Sequence, residues 1–192
     1  MKSKASSSWE ESGLKATGIV RKIDDLGRLV IPKEIRRTLR IREGDPVEIF
    51  TDSEGGIILK KFSPIREQGK FVKECADSLA KSSGHLTFIS DKDQIVAAAG
   101  GAKREFLDKQ ISGELEKAIN ERAPIVAERS NSKFVRILDD DSDGSYNHQV
   151  IVPIISEGDT LGAILFVSND KNMGDVEEKL ALTTAGFLGK QV

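Results

Sequence analysis

The chain is 192 residues long, with 29 lysines and arginines against 31 aspartates and glutamates, a formal net charge of −2. That length suits one or two domains with a buried core, and the charge taken alone argues against a nucleic-acid-binding protein. No apolar run approaches the ~18 residues of a membrane span, the start MKSKASSSWEESGLK lacks the apolar stretch of a secretory signal, and the single Cys75 excludes an internal disulfide framework and fits a reducing cytoplasm.

In chain order, residues 1–14 are Ser-rich and aperiodic, and read as a flexible leader or an expression remnant. From Thr17 the short apolar segments TGIVRKI, RLVI, VEIF and IILKKF are separated by the turn formers DDLG, GDP and SEGG, a pattern of small strands joined by tight turns. Between the second and third lies PKEIRRTLRI, a short helix with Pro32 suited to its first position and Gly44-Asp45-Pro46 suited to its exit. The resulting ββαββ module over residues 15–62 has little core of its own and no Cys or His for a staple. An intertwined dimer is the expected remedy.

Ser63-Pro64 reads as an N-cap and first-turn proline. An amphipathic linker helix continues to about Lys81, with a soft point at Gly69 and an end at Gly84, so that residues 63–83 join two modules. From residue 84 to 192 the pattern is mixed. LTFIS and IVAAA flank the turn DKDQ, FLDKQISGELEKAINER reads as helical, and FVRIL reads as a strand. HQVIVPII and TLGAILFVS form a hairpin around SEGD, and a final helix from about Gly174 sets Val176, Leu180, Thr183 and Phe187 on one side. The fold class is α+β: an antiparallel sheet with helices packed against it. No fixed-period repeat occurs.

Charge is unevenly placed along this chain. Residues 15–62 carry 11 Lys and Arg against eight acidic residues, a net of +3, whereas the remainder carries 18 against 23, a net of −5. Within 21–42, Arg21, Lys22, Arg28, Lys33, Arg36, Arg37, Arg40 and Arg42 face only Asp24, Asp25 and Glu34. At 100° per residue Lys33, Arg36, Arg37 and Arg40 fall in one arc of a helix, opposite Ile35 and Leu39. Such a face is either a solvated surface or an anion-binding one; the preponderance of arginine favours bidentate phosphate or guanine contacts. The few aromatic residues are dispersed, which favours duplex over single-stranded nucleic acid.

Other constellations are weaker. Asp139, Asp141, Asp143 and Gly144 follow the order of a calcium loop, but Val150 replaces the bidentate glutamate at the twelfth position, so a solvated acidic loop is the better reading. Cys75 lies on the apolar stripe of the linker helix, and His85 and His148 lack metal-ligand spacing. No phosphate loop, dinucleotide fingerprint, nucleophile elbow or zinc motif occurs; no enzyme, cofactor or metal is expected.

The combination GIVR-x-ID-x-LGR-x-VIP-x-EIRR-x-L resembles the swapped-hairpin DNA-binding domain of the AbrB family of bacterial transition-state regulators. GHLTFISDKD, ISGELEKAINER and MGDVEEKLALTTAGFL extend the resemblance through the second half, toward the sporulation regulators of spore-forming Firmicutes. PIISEGDTLGAILF, with Pro153, Gly158 and Gly162, resembles the hairpin of a GAF domain. The first resemblance implies two chains exchanging hairpins into one β-barrel, with Arg21, Arg28, Arg36 and Arg37 contacting DNA and Lys22 and Lys33 reaching phosphate. It also implies a regulator of sporulation genes that activates some promoters and represses others. The expected partners are double-stranded DNA, a second copy through the N-terminal module and a homotetramer through the GAF-like halves, without membrane. The expected location is the cytoplasm, on the nucleoid of the forespore. Whether the GAF-like half holds a small-molecule ligand stays open. The competing readings are an antitoxin-like protein-binding module, a ligand-binding enzyme built on the GAF-like half, which lacks a nucleophile–base pair in sequence, and an architectural DNA protein without sequence preference.

Overall fold

A computed structural model describes residues 17–101, 103–140 and 146–192. The leader 1–14 and the acidic positions Asp141, Asp143 and Gly144 lie outside them. The chain divides into two compact units, one reaching to Gly44 and one spanning Asp45–Val192.

Among the described residues of the first unit, the helix read over PKEIRRTLRI is shorter than that segment. Helix α1, Lys33–Thr38, follows Pro32, which occupies the N-cap rather than the first helical position. The segments TGIVRKI and RLVI, read as strands, form no ladder. A strand needs a partner edge, and within this chain residues 24–28 make only a turn, closed by Asp24 N–H to Arg28 O at 3.1 Å and Gly27 N–H to Asp24 O at 3.0 Å. Their apolar side chains are left uncovered: Val20 is 90% and Val30 72% exposed, with Ile23, Leu26 and Leu29 also exposed.

The second unit opens with the hairpin β1, Val47–Thr51, and β2, Ile57–Lys61, paired antiparallel with Val47 opposite Lys61. Ser63 then caps α2, Pro64–Glu67, its hydroxyl accepting from Arg66 N–H at 3.3 Å. The linker helix breaks once at Gln68-Gly69 and resumes as α3, Gly69–Ser83, which Gly84 ends in a left-handed conformation. β3, Leu86–Asp91, and β4, Ile95–Ala99, follow, then the single turn α4, Lys103–Phe106, helix α5, Gly113–Asn120, and β5, Ile125–Glu128. The hairpin β6, His148–Ser156, and β7, Asp159–Ser168, precedes α6, Asp175–Gln191. The five-stranded sheet runs β4-β3-β7-β6-β5, antiparallel throughout.

Both faces of this sheet are covered, which is why its strands are apolar almost without alternation. Ile164 and Phe166 of β7 point to the layer built by Val72, Ala76 and Leu79 of α3 and Ala181, Ala185 and Leu188 of α6. Ala163, Leu165 and Val167 point the other way, to Phe106, Ile111, Leu115, Ile119 and Leu138. The two-residue period of the strand decides which side chain meets which layer.

Three expectations are corrected here. The helix read over 106–122 is confined to α5, because Asp108 takes a positive φ and residues 109–111 bond back to Ile95 and Asp93 before Ser112 caps the helix. FVRIL forms a single bridge, Leu138 to Ile111, while the sheet edge it would need is filled by β5. On α6 the side carrying Val176, Thr183 and Phe187 faces outward, and the small residues Ala181, Ala185 and Gly189 face the sheet instead. Small side chains let the helix axis come close: a Cβ on Gly189 would lie 2.1 Å from Ile155 O.

Candidate nucleic-acid interface

The six cationic positions predicted from sequence all lie in the first unit, and all six are exposed. Arg21 and Lys22 precede the turn, Arg28 closes the turn, and Lys33, Arg36 and Arg37 lie on α1. Helical spacing keeps those last three within about a 100° arc, while Ile35 is half-buried on the other side. Arg40, expected on the same face, is off the helix. Ile41 N–H bonds Arg36 O at 2.7 Å and Arg40 N–H bonds Arg37 O at 3.3 Å, the paired bonds of a Schellman C-cap. Arg40 takes the left-handed position at φ 50°, where glycine is usual.

Arg28 has the best-defined surroundings. Its Nε donates to Asp24 Oδ2 at 2.8 Å, and its backbone N–H donates to Asp24 Oδ1 at 2.7 Å. Leu26 N–H reaches the same oxygen at 3.0 Å. The Arg28 amide and guanidinium, in that order of effect, hold the Asp24 carboxyl below its ordinary value. The Arg28 side chain is nonetheless 69% exposed, so its outer edge is available. The sequence D-D-L-G-R carries the signal for Asp24, since Asp at the start of a turn bonds backbone N–H groups ahead of it.

This arrangement can receive a polyanion: arginine forks on a surface can engage phosphate oxygens or the paired acceptors of guanine. Among the described residues no group of His, Cys, Asp and Glu could hold a metal ion, and no helix is long and apolar enough to cross a membrane. Cys75 is half-buried against the core, and burial, with Glu74 adding to it, pushes its thiol up. His85 is buried with Nε2 3.4 Å from Glu177 Oε1, whereas His148 lies at a strand end 4.0 Å from Glu128. In the buried layer that includes Leu115 and Ile119 of α5, the rings of Phe88, Phe106 and Tyr146 follow one another with centroids 4.7 and 6.2 Å apart.

Known proteins resemble both parts of the chain. The GAF domain of an Acinetobacter phosphoenolpyruvate-protein phosphotransferase superposes with a TM-score of 0.54 at 12% identity, over 69% of this chain and 83% of that one; the second unit has the GAF fold. The transition state regulatory protein AbrB of Bacillus subtilis (strain 168) is 63% identical over 86 residues, 44% of this chain and 88% of AbrB. A family described as antidote-toxin recognition MazE, bacterial antitoxin, matches residues 20–67. The chain is a transcription regulator of the AbrB type carrying a GAF-like domain. The family described as stage V sporulation protein T C-terminal, transcription factor, matches residues 67–192. Stage V sporulation protein T of Bacillus subtilis (strain 168) is 50% identical over 179 residues, 93% of this chain and 99% of that protein. The chain belongs to the stage V sporulation protein T family.

Proposed function

We propose that the chain binds duplex DNA through residues 15–62, with Arg21, Arg28, Arg36 and Arg37 as direct contacts and Lys22 and Lys33 as phosphate contacts. It regulates sporulation genes, activating some promoters and repressing others. The observation that carries this reading is the exposure of all six cations in a segment as close to AbrB as 63% identity. Phosphate contacts would supply affinity and arginine–base contacts selectivity.

Two copies pair through the N-terminal module. The uncovered Val20, Ile23, Leu26, Leu29 and Val30 support this, since a chain rarely leaves so many apolar groups in water without a partner. The GAF-like halves, 84–192, then pair the dimers into a tetramer through the linker helix 63–83, so that neighbouring sites bind with raised effective concentration. The protein acts in the cytoplasm, on the forespore nucleoid, and is not an enzyme.

The test is Arg28→Ala. It weakens specific DNA binding by about 1–3 kcal/mol in gel-shift titration while circular dichroism stays that of the wild type. Unchanged affinity would remove Arg28 from the interface.

A further inference from the structure

We propose that Asp24 is a positioning residue that sets how Arg28 divides its contacts between base edges and phosphates. The inference rests on the DNA-binding reading above. Its ground is the set of bonds that meet at one carboxylate: Leu26 N–H and Arg28 N–H on Oδ1, Arg28 Nε on Oδ2. The main chain of the same residue closes the turn from the other side, through Arg28 O and Gly27 N–H. Asp24 therefore fixes both the loop that carries Arg28 and the roll of its guanidinium.

Two consequences follow for a DNA contact. With Nε occupied, the guanidinium presents its Nη edge in a fixed orientation, and an ordered side chain loses less rotamer freedom when it binds. The adjacent carboxylate also cancels much of the charge at the tip of the turn. A phosphate anion gains little from approaching a nearly neutral pair, whereas the neutral O6 and N7 acceptors of guanine depend on fork geometry more than on net charge. The pair thus trades indiscriminate affinity for selectivity. As a contribution to stability an exposed pair of this kind is minor, which leaves binding as the property it affects.

The experiment uses the full chain and two duplexes of equal length, one enriched from a random-sequence pool by the wild-type protein and one unrelated. Fluorescence anisotropy over a range of salt concentrations gives the affinity for each. Asp24→Asn keeps an oxygen for the two amides and removes the charge. The ratio of the two affinities falls about tenfold, binding to the unrelated duplex is as tight or tighter, and the slope of log K against log salt steepens by about 0.9 as Arg28 gains a phosphate. In an Arg28→Ala background the same change has no effect on the ratio. An unchanged ratio in Asp24→Asn, or an equal fall with and without Arg28, overturns the proposal. If Arg28→Ala itself leaves both affinities as they were, the assignment of Arg28 to the interface fails first, and Asp24 with it. Circular dichroism and the Asp24→Ala variant, which also frees the two amides, separate loss of the turn from loss of the charge: Asp24→Ala lowers affinity for both duplexes, whereas an Asp24→Asn that does the same marks a purely structural residue and contradicts the proposal.

Discussion

The Ser63 hydroxyl donates to Asp91 Oδ2 at 2.9 Å, tying the cap of α2 to the end of strand β3. Asp91 is buried, and its other oxygen takes the N–H groups of Asp93 and Gln94 at 2.8 Å each. Beside it, Lys61 Nζ lies 2.9 Å from Asp45 Oδ2 and 2.5 Å from Asp93 Oδ2, so the end of the β1–β2 hairpin is held to the β3–β4 turn. Ser63→Ala is expected to cost about 1 kcal/mol, as loss of a cap does. Asp91→Ala, which strips acceptors from three donors, costs about 2 kcal/mol. Urea midpoints at unchanged m-value measure both.

Two glycines report on close packing. A Cβ on Gly162 would stand 1.9 Å from Ser90 O, and one on Gly189 2.1 Å from Ile155 O, backbone atoms in both cases. Neither neighbour can rotate away. Gly162→Ala and Gly189→Ala each destabilise the second unit by about 1–3 kcal/mol through forced displacement, seen as a lower thermal midpoint for the sheet.

At Arg40 the effect has the opposite sign. A non-glycine residue in the left-handed region costs about 1 kcal/mol, and the Schellman bonds at the end of α1 run through the main chain. Arg40→Gly keeps those bonds and relieves the strain, so the helix becomes more stable by up to about 1 kcal/mol. Amide hydrogen exchange at Leu39, Arg40 and Ile41 slows accordingly.

Glu177 gives a pH-dependent contribution. Burial raises its pKa, but Gly174 N–H at 2.9 Å, its own amide and His85 together hold it below the ordinary value. A carboxyl with a depressed folded pKa adds stability above its unfolded pKa, and loses it as the pH falls through the folded one. The stability difference between wild type and Glu177→Gln is therefore full at pH 7, begins to shrink near the ordinary carboxylate value and vanishes below the folded pKa. Denaturation curves from pH 7 to pH 2 trace that convergence; a difference independent of pH contradicts it.

The parts of the fold legible in sequence are those where local chemistry and tertiary need coincide. Ser63-Pro64 starts a helix, Gly84 ends one, and SEGD turns a hairpin whose Glu157 and Gly158 both take positive φ. FVRIL misled because its alternation is genuine but its backbone is satisfied elsewhere. Ser112 N–H donates to Ile137 O at 2.8 Å, Ser112 Oγ donates to Arg136 O, and Arg136 N–H donates to Glu114. With its amide turned to satisfy both, Gln149 donates to Val135 O at 2.9 Å and accepts from Val135 N at 2.7 Å. Side chains from distant residues replace a ladder there, and no local pattern announces that. The short β5 is illegible for the converse reason: APIVAE is too brief to signal a strand without the β6 edge beside it. In the candidate interface the cations were legible from charge placement, since net charge per segment needs no structure. For Asp24 the turn is legible in D-D-L-G-R, but its hold on Arg28 Nε is not, because only the closed turn brings those two side chains together.

The salt dependence of DNA binding tests the central reading most directly. With the full chain and a duplex enriched by it, log K should fall linearly with log salt at a slope of several units, about 0.9 per phosphate engaged, and the double change Arg36→Ala, Arg37→Ala should reduce that slope by as much as about two units. A flat salt response, or a slope untouched by removing both arginines, would contradict the assignment of this surface to DNA.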